Sequence, residues 1–365
     1  MRSGGGTLSG HRHGGDRYRY PDCVDFSANV NPYGTPVGVI QAICQAAGKV
    51  SEYPSAACEE LKAGIAAYEE TDPSTVICGN GAADLIYLLA RAEAGTGAGI
   101  GLVSDPTFAE YELAMQAAGM KVRHFVRTAD QDFILDSSFP ESLSPDVGLV
   151  FLCNPSNPDG RLIDPGLMWR ILQVCRDNRI RLVVDECFLD FVKNPAEHSL
   201  KSFLSACPNL FLLKAFTKAY GMAGVRLGYG LCSDSGLLRR MEEKTQPWAV
   251  SSLAQAAGLA ALKERDFLEK GRRTVFEEKE YLAEALKQMG FRVFPSDANY
   301  LLFYGVEDLR EKLLPRGFLI RDCSNIRGLS KGYYRTAVRL HEENTALIEA
   351  MQKAAASQSD SITVP

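Results

Sequence analysis

From about residue 75 to residue 231, short apolar runs alternate with longer amphipathic stretches. The runs are Thr75–Cys78, Ile100–Ser104, Lys121–Val126, Gly148–Cys153, Ile180–Asp185, Leu210–Lys214 and Leu227–Leu231. Most show no polar alternation, so they read as strands buried on both faces. Between them lie helix-like stretches, among them Ala82–Glu93, Ala109–Ala118, Pro165–Asn178 and Leu237–Glu243. This order predicts βαβ units and an α/β fold with a mostly parallel, doubly covered sheet.

After Val250 the pattern changes. A long helical region, Ser251–Met289, precedes the runs Phe291–Phe294, Tyr300–Phe303 and Phe318–Arg321, then Tyr334–Leu340 and a last helix, Glu342–Ala356. That is an α+β pattern and predicts a smaller C-terminal domain. The expected division is 1–48, an N-terminal arm with part of the small domain; 49–250, the large domain; and 251–365, the small domain, with 356–365 a frayed tail. A chain of 365 residues, 46% hydrophobic, can bury such a core and exceeds the usual size of one domain.

The net charge of −5 gives no reason to expect nucleic acid or a membrane surface as partner. No run of about 18 apolar residues exists, so no transmembrane helix is expected. Met1–Gly10 is Gly/Ser-rich without an apolar segment, unlike a secretory signal. Ten cysteines are scattered without a CxxC pair, which suggests reduced thiols in a cytoplasmic protein. The five histidines show no metal-ligand spacing, and no metal is expected. Gly95-Thr-Gly-Ala-Gly-Ile-Gly101 lacks the dinucleotide-loop spacing and precedes a strand, so it reads as a turn.

Four elements at predicted strand ends carry chemistry, and ligands of open α/β sheets bind at such ends. Cys78-Gly-Asn-Gly-Ala-Ala-Asp84 is a strand, a glycine turn and a helix start, whose free N–H groups suit a phosphate. Asn154-Pro-Ser-Asn-Pro-Asp-Gly160 is a rigid turn with fixed amides. In Leu182-Val-Val-Asp-Glu186, Asp185 ends a buried strand and needs a partner, for which a protonated pyridine nitrogen is suited. In Ala215-Phe-Thr-Lys-Ala-Tyr-Gly-Met-Ala-Gly-Val-Arg-Leu-Gly228, one lysine and one arginine sit among small residues. The lysine suits Schiff-base chemistry and the arginine suits phosphate.

The sequence of these motifs, from about His13 to Ala350, resembles the class I/II aminotransferases of pyridoxal phosphate (PLP) fold type I, and within them the histidinol-phosphate aminotransferases. The resemblance implies that Lys218 is the Schiff-base lysine and that Asp185 pairs with the pyridine nitrogen. Asn157 would bond the ring O3′, and Phe108, in Asp105-Pro-Thr-Phe108, would stack on the ring. Gly81, Ala82, Thr217 and Arg226 would hold the cofactor phosphate. Tyr53, in Glu52-Tyr-Pro54, would reach the partner subunit's phosphate, implying a homodimer with shared active sites. Arg335 would grip the substrate α-carboxylate.

The chain ends are similar to the L-threonine-O-3-phosphate decarboxylases of the cobalamin pathway. The matching segments are His13-Gly-Gly-Asp16, Asp25-Phe-Ser-Ala-Asn-Val-Asn-Pro-Tyr-Gly34, Ile320-Arg-Asp-Cys-Ser-Asn325 and Arg335-Thr-Ala-Val-Arg339. One departure from the aminotransferase pattern is Phe188, where a tyrosine commonly donates to O3′. The implied reaction converts L-threonine O-3-phosphate to CO₂ and (R)-1-amino-2-propanol O-2-phosphate, with His13, Asn31, Arg321 and Arg339 as candidates for the substrate phosphate. An aminotransferase of histidinol phosphate and a decarboxylase of L-serine O-phosphate are the alternatives within this chemistry. A non-catalytic module of the same fold is disfavoured by the presence of both Lys218 and Asp185.

Overall fold

The computed structural model describes residues 14–97 and 99–356. Seven strands form one sheet. Across it they run Val76–Gly79, Gly228–Leu231, Leu210–Ala215, Arg181–Asp185, Val147–Cys153, Ile100–Asp105 and Lys121–Val126. Four pairings are parallel, as the alternation of strands and helices predicts. Gly228–Leu231 instead runs antiparallel to both its neighbours. The segment before it contains the four-residue helix Phe216–Ala219 and returns at the same end of the sheet, so no helical crossover separates the two strands.

Successive residues of each central strand point to opposite faces, and both faces are apolar. Leu149 and Phe151 join one core, with Leu85, Leu89, Tyr111 and Met115 from the helices Ala82–Ala94 and Glu110–Ala117. Val150 and Leu152 join the other, with Ile171 and Leu172 from Pro165–Asp177. That helix begins at Pro165, and the Asp164 carboxylate accepts from the Leu167 N–H at 2.9 Å.

The helical region after Val250 is two helices, Ser252–Ala261 and Arg265–Gln288. The first places Ala254, Ala257 and Ala261 in the same core as the sheet. The second starts at that core with Leu268 and ends in another with Leu282 and Leu286. This third core, with Leu301, Phe303, Leu347 and Met351, belongs to a four-stranded antiparallel sheet in the order Arg321–Asp322, Tyr333–Ala337, Tyr300–Tyr304, Arg292–Val293. The run Phe318–Arg321, expected as one strand, is split. Phe318–Leu319 pairs in parallel with Val24–Asp25, and Arg321–Asp322 pairs with the strand that carries Arg335. The N-terminal segment is thereby fastened to the small sheet. All ten cysteines are free and nine are buried. Among the described residues no helix is long and apolar enough to cross a membrane.

Candidate active site

Parallel register brings three strand ends together, because Cys153 is level with Asp185 and Asp185 with Leu213. A cavity of about 430 Å³ opens there, between the large sheet, the N-terminal segment and the small sheet.

One wall is an anion cradle. Gly81 adopts φ +86° and no side chain caps the helix that follows, so the helix presents its free N–H end at Ala82 and Ala83, both lining the cavity. A Cβ on Gly81 would lie 2.5 Å from Arg226 Nη2, and one on Gly228 would lie 2.5 Å from the Ala82 nitrogen. Glycine at these two positions is what lets the guanidinium and the backbone amides converge. Thr217, buried on the next turn of chain, faces the same cavity.

Lys218 lines the same cavity, half-buried on the one-turn helix that follows the strand Leu210–Ala215, with Nζ 5.6 Å from the centre of the Phe188 ring. Burial pushes its amine down to about 8, assisted by the positive charges of Arg335 and Arg226. A sizeable fraction is therefore the free-base nucleophile near neutral pH. Asp185 is buried. Its Oδ1 accepts from the Cys187 N–H at 2.9 Å and its Oδ2 from the Tyr111 hydroxyl at 2.5 Å. Phe108 and Asn157 line the same space.

The third wall comes from the chain ends. Arg335 is buried; Nη1 donates to Asn157 Oδ1 and Nη2 to the Ser27 carbonyl at 2.8 Å. Arg321 donates to the Asp322 carbonyl at 2.6 Å and to Asn325 Oδ1 at 2.8 Å. These two arginines are directly opposite each other on neighbouring strands, and both line the cavity. Like charges so placed are destabilising on their own. Burial pushes the pKa of both guanidinium groups below its ordinary value. Asn29 also lines the cavity. It is 1% exposed, and neither its oxygen nor its nitrogen has a hydrogen-bond partner.

Two residues expected at the site, Asn31 and Arg339, are placed elsewhere, and one lies outside the described residues. Asn31 is turned to the backbone: Nδ2 donates to the Ala219 carbonyl at 2.9 Å, and its N–H to the Lys218 carbonyl at 2.9 Å. It braces the lysine helix from behind, and Asn29 takes the cavity position instead. Arg339 is engaged by Glu343 at 2.7 Å and by the Asp25 carbonyl at 3.2 Å, outside the cavity lining. Tyr53 is 79% exposed and stacks on Trp248 at 4.5 Å, away from the cavity of its own chain. His13 lies outside the described residues. Asn29, Asn325 and Tyr111 were not singled out by sequence. For Asn29 the repeated Asn of Ser27-Ala-Asn-Val-Asn31 was the available signal.

A mostly parallel sheet in this strand order, with a cradle for an anion, a half-buried amine and a buried strand-end carboxylate gathered at the ends of its central strands, defines a PLP-dependent enzyme of fold type I. The model of the family "Aminotransferase class I and II" matches residues 21–351, and the chain belongs to that family. It is 34% identical over 333 residues to the threonine-phosphate decarboxylase of Salmonella typhimurium, covering 90% of each chain. It is 33% identical over 341 residues to the histidinol-phosphate aminotransferase of Nitratidesulfovibrio vulgaris, covering 93% of this chain and 90% of that one. The crystal structure of the histidinol-phosphate aminotransferase from Clostridium acetobutylicum superimposes with a TM-score of 0.84 at 27% identity, covering 91% of this chain and 99% of that chain. The cofactor is pyridoxal phosphate.

Proposed function

We propose that the protein decarboxylates L-threonine O-3-phosphate to (R)-1-amino-2-propanol O-2-phosphate and CO₂, as a step of cobalamin biosynthesis. The observation that carries this reading is the cross-strand pair Arg321–Arg335, facing the cavity together beside the unpartnered amide of Asn29. Two cations held side by side suit one small molecule that bears both a carboxylate and a phosphate.

The cavity residues fit the cofactor. Gly81 and Ala82 N–H groups, Thr217 and Arg226 would hold its phosphate, and the space a Cβ at position 81 would fill is where the cradle converges. Asp185 would pair with the ring nitrogen, Asn157 with O3′, Phe108 with the ring face, and Lys218 Nζ would tether it covalently. Bound there, pyridoxal phosphate supplies an electron sink for the bond broken at the substrate Cα.

The protein's own groups then decide which bond that is. Arg335 and Arg321 orient the carboxylate and phosphate, and so set which Cα substituent stands perpendicular to the ring. Phe188, edge-on to Tyr300 at 5.0 Å, keeps an apolar edge without a hydroxyl. Lys218 Nζ would be the group to return a proton to Cα.

Amino transfer from histidinol phosphate is the second reading, favoured by the 33% identity to such an enzyme. Holoenzyme incubated with L-threonine O-3-phosphate should release CO₂ without any oxo acid. Stoichiometric glutamate formed from 2-oxoglutarate with histidinol phosphate, and no CO₂ from the phosphothreonine, would sink the decarboxylase reading. L-serine O-phosphate differs by one methyl, worth about 1–3 kcal/mol in a pocket, and should be a poorer substrate.

The same reading makes the working unit a homodimer, with Tyr53 of each copy reaching the cofactor phosphate of the other. Its exposed position beside Trp248 supports this. Free buried thiols support a reducing, cytoplasmic setting.

A further inference from the structure

Asp185 is held by more than its own strand. One carboxylate oxygen takes the Cys187 N–H, two residues along, and the other takes the Tyr111 hydroxyl, 74 residues away. At 2.5 Å this second contact is a short, charge-assisted hydrogen bond. Tyr111 has no freedom to leave it. Its ring stacks on Phe151 at 5.0 Å and 8°, and meets Phe108 edge-on at 5.6 Å and 82°. Phe151 is on the strand paired with that of Asp185, and Phe108 is three residues before Tyr111, in the turn that leads into its helix. One rigid side chain therefore fixes the carboxylate relative to the aromatic ring expected to cover the cofactor.

We propose that Tyr111 is a positioning residue, orienting the Asp185 carboxylate toward the ring nitrogen of the cofactor. This rests on the role of Asp185 given above and is independent of which reaction follows. With one protein donor on each oxygen, the carboxylate cannot turn about its Cβ–Cγ bond, and each oxygen keeps room for one further donor. Burial and the negative charge of Asp185 keep the phenol protonated, so it acts as a donor throughout the working pH range. A core tyrosine that merely needed a hydroxyl partner would give stability and nothing else, which provides the contrast for a test.

Tyr111→Phe keeps the ring and both stacking contacts and removes only the hydroxyl. Holoenzyme reconstituted with ¹⁵N-labelled pyridoxal phosphate reports the ring nitrogen directly. In Tyr111→Phe that resonance should shift from its wild-type position, cofactor affinity should fall about 10-fold, and kcat should fall about 10-fold with KM changed less than about 2-fold. Phe151→Leu serves as the packing control: it loosens the stack and leaves the hydroxyl, and should lower thermal stability with the nitrogen resonance held near wild type. A Tyr111→Phe protein with the wild-type resonance and wild-type cofactor affinity overturns the proposal. So does a Phe151→Leu protein that reproduces the Tyr111→Phe shift. Cofactor uptake and the predicted shift without CO₂ release would defeat the decarboxylase reading and leave the role of Tyr111 standing. A protein that takes up no pyridoxal phosphate would defeat both.

Discussion

Lys218→Met should make the cofactor-free protein more stable at neutral pH. The amine titrates at 10.5 when free in solution and at about 8 in its place, chiefly because burial disfavours its charge. Carrying a proton there costs the folded state at most roughly 3 kcal/mol, less where water in the cavity screens the charge. The sign follows from proton binding. Between about pH 8 and 10.5 the unfolded chain holds a proton on this lysine that the folded chain has shed, so stability rises with pH across that window. Below about pH 8 both states are protonated and the cost is present in full. Methionine has similar length and no proton, so the variant should lack this part of the slope. For a chain of 365 residues the entropy of unfolding is about 0.8 kcal/mol per kelvin, so the gain at pH 7 is up to about 4 °C in Tm. Calorimetry of cofactor-free wild type and variant at pH 7, 9 and 10.5 measures it. A variant that melts at or below the wild type at pH 7, or a gap that stays constant up to pH 10.5, would refute the argument.

Arg321→Gln should raise the Tm of the cofactor-free protein slightly, because it removes one of two like charges on facing strands, while kcat/KM for L-threonine O-3-phosphate falls about 10- to 100-fold; steady-state kinetics and a melting curve on the same protein check both halves. Gly81→Ala should weaken pyridoxal phosphate binding by at least about 10-fold, since its Cβ would press on Arg226 and its φ of +86° disfavours an L side chain; titration of the cofactor-free protein with pyridoxal phosphate reads this directly. Inorganic phosphate should stabilise the cofactor-free wild type more than Gly81→Ala, which differential scanning fluorimetry at several phosphate concentrations would show.

The sheet was legible in the sequence because its central strands are covered on both sides. A strand such as Val147–Cys153 leaves no polar residue on either face to blur the signal. The residues expected on the cofactor side were legible for a related reason: Asp185 ends such a strand, and Asn157 and Lys218 lie within four residues of the end of one. The substrate side was harder to read. In Ser27-Ala-Asn-Val-Asn31 both asparagines have the same local claim. Contact with the Lys218 helix, distant in sequence, takes Asn31 and leaves Asn29 to the cavity. Arg339 had a readable competitor in Glu343, four residues on at the start of a helix, where such pairs commonly form. Tyr111 was hidden because its apolar body belongs to the core pattern of its helix, and only its hydroxyl betrays the second role. The reversed direction of Gly228–Leu231 has no local signature, since a buried strand reads the same either way.

The split of Phe318–Arg321 has an evolutionary consequence. Because Phe318–Leu319 fastens the N-terminal segment and Arg321 pairs with Arg335, the groups proposed to face the substrate sit together on the small sheet, while the large sheet carries those proposed to hold the cofactor. Arg335 to Asn157 is one hydrogen bond that crosses between them. On that proposed division, altering the chain ends exchanges the reaction and leaves the cofactor machinery untouched. Two relatives of different chemistry then stand at nearly equal distance from one chain, and grafting residues 14–31 together with 318–339 is the smallest transplant that should carry the choice of reaction with it.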